Sequence, residues 1–157
     1  MNKILILSAL IGALFFSINT ERKGCSGVPD LGNDKLYNSL TDMVQVSATK
    51  YDVDAKVLLA IAKKESSFRS WVLGDSQKSI GLTQVQYKLH AKTCKLKAKE
   101  DLLDPQTNLN CSAKILKGLL DRQVDASISK RYYKAVKAYN GAGFMADQYA
   151  KAIMKSV

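Results

Sequence analysis

A glutamate at position 65 closes a run of helical character, Asp54 to Phe68, and shares the apolar stripe of that run. Leu58 lies seven residues before it and Ile61 four before it, so at 3.6 residues per turn the three side chains stack on one face. Lys63 and Lys64 point elsewhere. A carboxyl group held against apolar walls resists ionisation, because burial disfavours the charged form. Still protonated near neutral pH, it can donate a proton to a leaving group, and its conjugate base can take one back. Glu65 is therefore the candidate catalytic acid. The same periodicity also fits a last-turn glutamate whose stem only covers apolar surface, so the chemistry needs support from elsewhere in the chain.

The other reactive residue types narrow the field. His90 is the one histidine, stands beside Lys88 and Leu89 in a basic stretch and reads as a surface residue; with no close Cys-x-x-Cys spacing, a metal site is not expected. Cys94 and Cys111 would pair in an exported chain, closing a loop whose constraint contributes roughly 3 kcal/mol. In a chain that never meets an oxidant they would be two buried thiols. Cys25 is then left over, and Arg22-Lys23-Gly24 before it lacks the small and branched residues expected ahead of a lipidated cysteine.

The elements that must position these residues follow from caps and periodicity. Leu36, Leu40, Met43 and Val44 have helical spacing over Lys35 to Tyr51. Asp54 caps the helix that carries Glu65. Gly74, Asp75, Ser76, Ser79 and Gly81 mark residues 70 to 84 as a structured loop, with a short helix near Val85 to Ala91. Asp104-Pro105 starts a further helix whose core side is Leu109, Ile115, Leu116, Leu119 and Leu120. Another fits Ser129 to Tyr139, followed by a turn at Asn140 to Gly143 and a last helix near Phe144 to Met154. Alternating strand patterns are few, so the expected fold is all-α or mainly α.

The 157 residues suit one domain able to bury its own core. Met1-Asn2-Lys3 followed by the apolar run Ile4 to Phe16 resembles a secretory signal, being too short for a spanning helix of about twenty residues. Residues 1–23 are read as a signal peptide or an uncleaved anchor, 24–34 as a linker, and 35–157 as the domain. The expected location is outside the cytoplasm, in the periplasm or envelope or beyond it, with membrane contact only through the N-terminal segment. Lys plus Arg number 24 against 14 acidic residues, a net +10 that suits polyanionic surroundings. The basic residues are not interleaved with aromatics, so nucleic acid is not an expected partner.

Three segments become specific when taken in order: Glu65-Ser66-Ser67-Phe68, Ser79-Ile80-Gly81-Leu82-Thr83-Gln84, and Ala138-Tyr139-Asn140-Gly141-Ala142-Gly143. Asp104-Pro105-Gln106-Thr107-Asn108-Leu109 stands between the second and third. Together they resemble the lysozyme-like lytic transglycosylases, of the soluble catalytic-domain type, that cleave bacterial peptidoglycan. The resemblance implies a lysozyme-like helical domain with a glycan-binding cleft and no cofactor. It maps the single catalytic acid and base to Glu65, substrate contacts to Gln84 and Ser79, the tyrosine that holds the catalytic carboxyl to Tyr139, and its neighbour to Asn140. Asn108 falls at a position that fixes helix packing. The chain departs from many members at Thr83, where methionine is common and where contacts with an acetamido group would change, and at Cys111, where glycine is common.

The implied reaction breaks the bond between N-acetylmuramic acid and N-acetylglucosamine and closes a 1,6-anhydro ring. A hydrolytic muramidase on the same fold is the nearest alternative. It needs a second carboxylate, at about 5 Å for a nucleophile or about 6.5–9.5 Å for a base, and the nearest acidic residue after Glu65 is Asp75, which reads first as a turn residue. A non-catalytic wall-binding assembly factor and a small basic membrane-disrupting protein are the other classes considered. The biological setting stays open between a secretion, pilus or conjugation apparatus and phage lysis.

Overall fold

Two aspartates set two helix starts. In the structure, a computed structural model that describes residues 33–125 and 127–157, Asp54 accepts from the Lys56 amide at 2.7 Å and opens α2 (Ala55–Ser66). Asp104 accepts from the Thr107 amide at 2.8 Å and opens α4 (Pro105–Leu120), with Pro105 in the first turn, where its missing N–H costs nothing. Helix α2 ends where Ser67 turns left-handed at φ 52° and its N–H reaches the Lys63 carbonyl. The chain thus leaves the helix two residues beyond Glu65.

The order is α1 (Asn33–Tyr51), α2, β1 (Leu73–Gly74), β2 (Ser79–Ile80), β3 (Val85–Gln86), α3 (Tyr87–Cys94), a 3-10 turn (Lys99–Leu103), α4, α5 (Ile128–Asn140) and α6 (Gly143–Lys155). The described part is mainly helical, as expected. Helix α1 begins two residues earlier than its spacing predicted, taking in the end of the expected linker. The expected leader, the rest of the linker and Cys25 lie outside the described residues. No helix among the described residues is long and apolar enough to cross a membrane.

Helix α4 is the hub, packing against α1, α3, α5 and the 3-10 turn. On one side Leu116 and Leu120 join Val57 and Ile61 of α2 with Tyr149 and Ile153 of α6. On another, Leu109 and Ala113 meet Leu40, Val44 and Ala48 of α1, with Leu58 and Leu82. Full burial of each such Leu or Ile contributes about 1.5–3 kcal/mol relative to leaving it exposed. A third, smaller cluster holds Ile80, Val85, Leu102 and Cys111 under the disulfide from Cys94 to Cys111.

A small antiparallel sheet, β1-β2-β3, pairs Leu73 with Ile80 and Ser79 with Gln86. The turn formers over residues 70–84 predict a loop here, and the difference comes from length. Strands of two residues are too short to show an alternating pattern.

Candidate active site

Leu58 and Ile61 are fully buried, and Glu65 continues their stripe to the edge of the fold, where its side chain is half-buried. Burial is the main influence on its carboxyl and raises the pKa above the usual range; the negative charge of Asp75 raises it further. A hydrogen bond from Tyr149 and the charge of Lys64 act in the opposite direction. The Tyr149 hydroxyl donates to Glu65 Oε1 at 2.6 Å. Tyr149 belongs to the Ala146, Tyr149, Ala150, Ile153 stripe of α6, all buried, so core packing places the ring and leaves the hydroxyl at the carboxyl.

That role had been expected of Tyr139. Its hydroxyl instead donates to the Thr83 carbonyl at 3.1 Å and shares a 2.9 Å bond with Ser112, and burial pushes its pKa up to about 12. Tyr139 holds the loop opposite the acid rather than the carboxyl itself. Tyr149 escaped the sequence reading because nothing around it forms a motif. The available signal was a tyrosine on a core stripe, whose hydroxyl needs a partner when buried.

The loop from Gly81 to Gln84 is fixed from below by Asn108, fully buried in α4. Its Oδ1 accepts from the Thr83 amide at 3.0 Å and the Thr83 hydroxyl, and its Nδ2 donates to the carbonyls of Ile80 at 2.8 Å and Leu102 at 2.9 Å. Thr83 is therefore turned into the core. Gly81 sits at φ +77°, and a Cβ there would lie 2.4 Å from both Asn108 Nδ2 and the Leu102 carbonyl oxygen, so the position accepts only glycine. Ser66, next to the acid, donates to the Leu82 carbonyl at 2.8 Å and ties the end of α2 to the same loop.

Gln84 adopts φ 51°, and its Nε2 donates to the carbonyls of Gly81 at 2.9 Å and Val72 at 3.1 Å. No hydrogen bond to its Oε1 forms among the described residues. Ser79 donates to Asp75 Oδ2 at 2.9 Å. Asp75 is both the turn residue expected, at φ 47°, and a wall of the site.

A polar cavity of about 210 Å³ is lined by Glu65, Asp75, Ser79, Gln84, Gln86, Tyr139 and Asn140. The structure thus brings together all five residues expected to catalyse or bind, drawn from α2, strand β2, the β2–β3 loop and α5, and adds Asp75 and Gln86. Beside it lies a second hollow of about 340 Å³ that shares Gln84, Gln86, Tyr139 and Asn140 and extends past Leu89, His90 and Ile115. His90 is not the surface residue expected: it is half-buried in this wall, and burial lowers its pKa. The arrangement offers a carboxyl with a raised pKa, aimed by a tyrosine, in the wall of a polar cavity.

Residues 42–156 match the family described as Transglycosylase SLT domain. The chain is also similar to the membrane-bound lytic murein transglycosylase C of Yersinia pestis (strain Pestoides F) and that of Yersinia pseudotuberculosis serotype O:1b (strain IP 31758). Each is 30% identical over 117 residues, covering 69% of this chain and 32% of the relative. The chain therefore spans about a third of the length of these curated relatives. With a family match over most of its length, and a mainly helical fold that carries the expected motifs on one groove, the chain belongs to the lytic transglycosylase family built on the lysozyme-like SLT domain.

Proposed function

We propose that the protein is a peptidoglycan lytic transglycosylase acting in the cell envelope, with Glu65 as acid and then base. Protonated Glu65 gives its proton to the glycosidic oxygen between N-acetylmuramic acid and N-acetylglucosamine, while the neighbouring acetamido group stabilises the oxocarbenium-like centre. The resulting carboxylate removes the proton from the muramic 6-hydroxyl as that oxygen bonds to the anomeric carbon. Every proton is accounted for within sugar and Glu65, so no water is consumed. The observation that carries this reading is a single carboxyl with a raised pKa sharing one groove with Ser79, Gln84, Tyr139 and Asn140. Gln84 and the exposed Asn140 line the cavity where the glycan would lie.

Asp75 favours a second reading, because it lines the same cavity. As a base it would activate water and give a hydrolase. Mass spectrometry of fragments released from purified wall separates the two: anhydro ends are lighter than reducing ends by one water. Reducing ends alone would replace the transglycosylase with a muramidase, and a zymogram without clearing would point to a wall-binding factor. Export through the N-terminal segment, and service to a secretion, pilus or conjugation apparatus or to phage lysis, belong to the same proposal. They rest on the signal-like residues 1–23.

A further inference from the structure

Helix α3 rests on its neighbours through partly buried contacts and is tied to α4 by one covalent bond. It has eight residues, none of them fully buried, and no side chain caps its N-terminus. So short a helix is marginal without tertiary support. Its non-covalent support is packing against α4, β3 and the 3-10 turn, with Tyr87 and Cys94 partly buried on the Ile80, Val85 and Leu102 cluster, and a 3.3 Å bond from the Tyr87 hydroxyl to the Lys97 carbonyl. Cys94, at the last turn, is joined to Cys111, which is 3% exposed in the middle of α4. The same α3 supplies Leu89, 68% exposed, and His90 to the wall of the 340 Å³ hollow that continues the Glu65 cavity.

We propose that the Cys94–Cys111 disulfide is a positioning device for the groove: by pinning α3 to α4 it keeps the Leu89–His90 wall in place for sugars beyond the bond that is broken. This rests on the peptidoglycan reading of the Glu65 site. The groups that aim the acid do not run through α3, since Tyr149 comes from α6, Ser66 binds Leu82, and Asn108 holds Thr83. Opening the bond consumes two electrons and two protons from a dithiol reductant, which is oxidised to its cyclic disulfide, and leaves two thiols. It then loosens the far wall and leaves the acid aimed. A loss of binding confined to long strands raises KM and spares kcat.

The test compares oxidised protein, protein reduced with dithiothreitol, and the double variant Cys94→Ala, Cys111→Ala, on long glycan strands and on a short oligosaccharide spanning only the scissile bond. Hydrogen exchange follows the α3 amides, and the reduced wild type serves if the variant fails to fold. The expected result is a KM about tenfold higher on long strands, unchanged kinetics on the short substrate, an unmoved pH profile, and faster exchange in α3 but not in α2 or α6. Equal effects on both substrates, a fall in kcat, or unchanged α3 exchange overturns the proposal while leaving the peptidoglycan reading in place. Oxidised wild-type protein that cleaves neither substrate overturns that reading, and the proposal with it.

Discussion

Tyr149 and Glu65, 84 residues apart in the chain, are joined by a 2.6 Å hydrogen bond from the phenol to carboxyl oxygen Oε1. The bond aims the acid and also moderates it, because it favours the ionised form against the pull of burial. Tyr149→Phe removes both effects. A hydrogen bond to a group that carries charge contributes about 1.5–3 kcal/mol, so kcat should fall by roughly 10- to 100-fold. The alkaline limb of the pH–rate profile should move to higher pH, since the Glu65 pKa rises further without the phenol.

Asp75→Asn should move that limb the other way. The negative charge of Asp75 raises the Glu65 pKa, and its removal lets Glu65 ionise sooner as pH rises. Rates on the acid side of the profile measure whether Asp75 also takes part in the reaction. A collapse at every pH would transfer the case to the hydrolytic reading.

Glu65→Gln should abolish wall cleavage, a loss of at least about 10²–10⁴-fold for a general acid–base residue, with an unchanged circular dichroism spectrum. Its stability should also depend on pH less than that of wild type. The folded carboxyl lies above its ordinary 4.5, so its contribution to stability is fully present below that value and is lost as pH rises through the raised folded pKa. Glutamine does not titrate. Melting temperatures should shift in favour of the variant between acid and neutral pH, and parallel curves would contradict the burial of Glu65.

Asn108→Ala should be among the more costly single changes in the fold. It strands the Thr83 amide and the Ile80 and Leu102 carbonyls in the interior, where each unsatisfied group costs about 1–3 kcal/mol. Denaturant unfolding should show a loss on the order of 3 kcal/mol. A variant within error of wild type would mean that the Gly81–Gln84 loop has another anchor.

Tyr139→Phe separates the two tyrosines. Its hydroxyl holds Thr83 and Ser112, so the change should cost about 1 kcal/mol of stability and less kcat than Tyr149→Phe. The reverse order in kcat would return the carboxyl-holding role to Tyr139.

Local chemistry determined a large share of this protein from sequence. Asp54 and Asp104 cap their helices because a short acceptor next to free amides acts over two or three residues, and the 3.6-residue stripes of α1, α2 and α4 are equally local. Glu65 was legible for the same reason, as were Gln84 and Asn140 through ordered motifs. Only the tertiary structure decided which tyrosine meets Glu65, since Tyr139 and Tyr149 lie on neighbouring helices and the choice depends on how α6 packs on α2 and α5 on α4 and α6. It likewise decided that Thr83 turns inward to Asn108 and that His90 faces a groove. Each of these is a contact between residues distant in sequence, and no periodicity within one segment encodes the angle at which two segments meet.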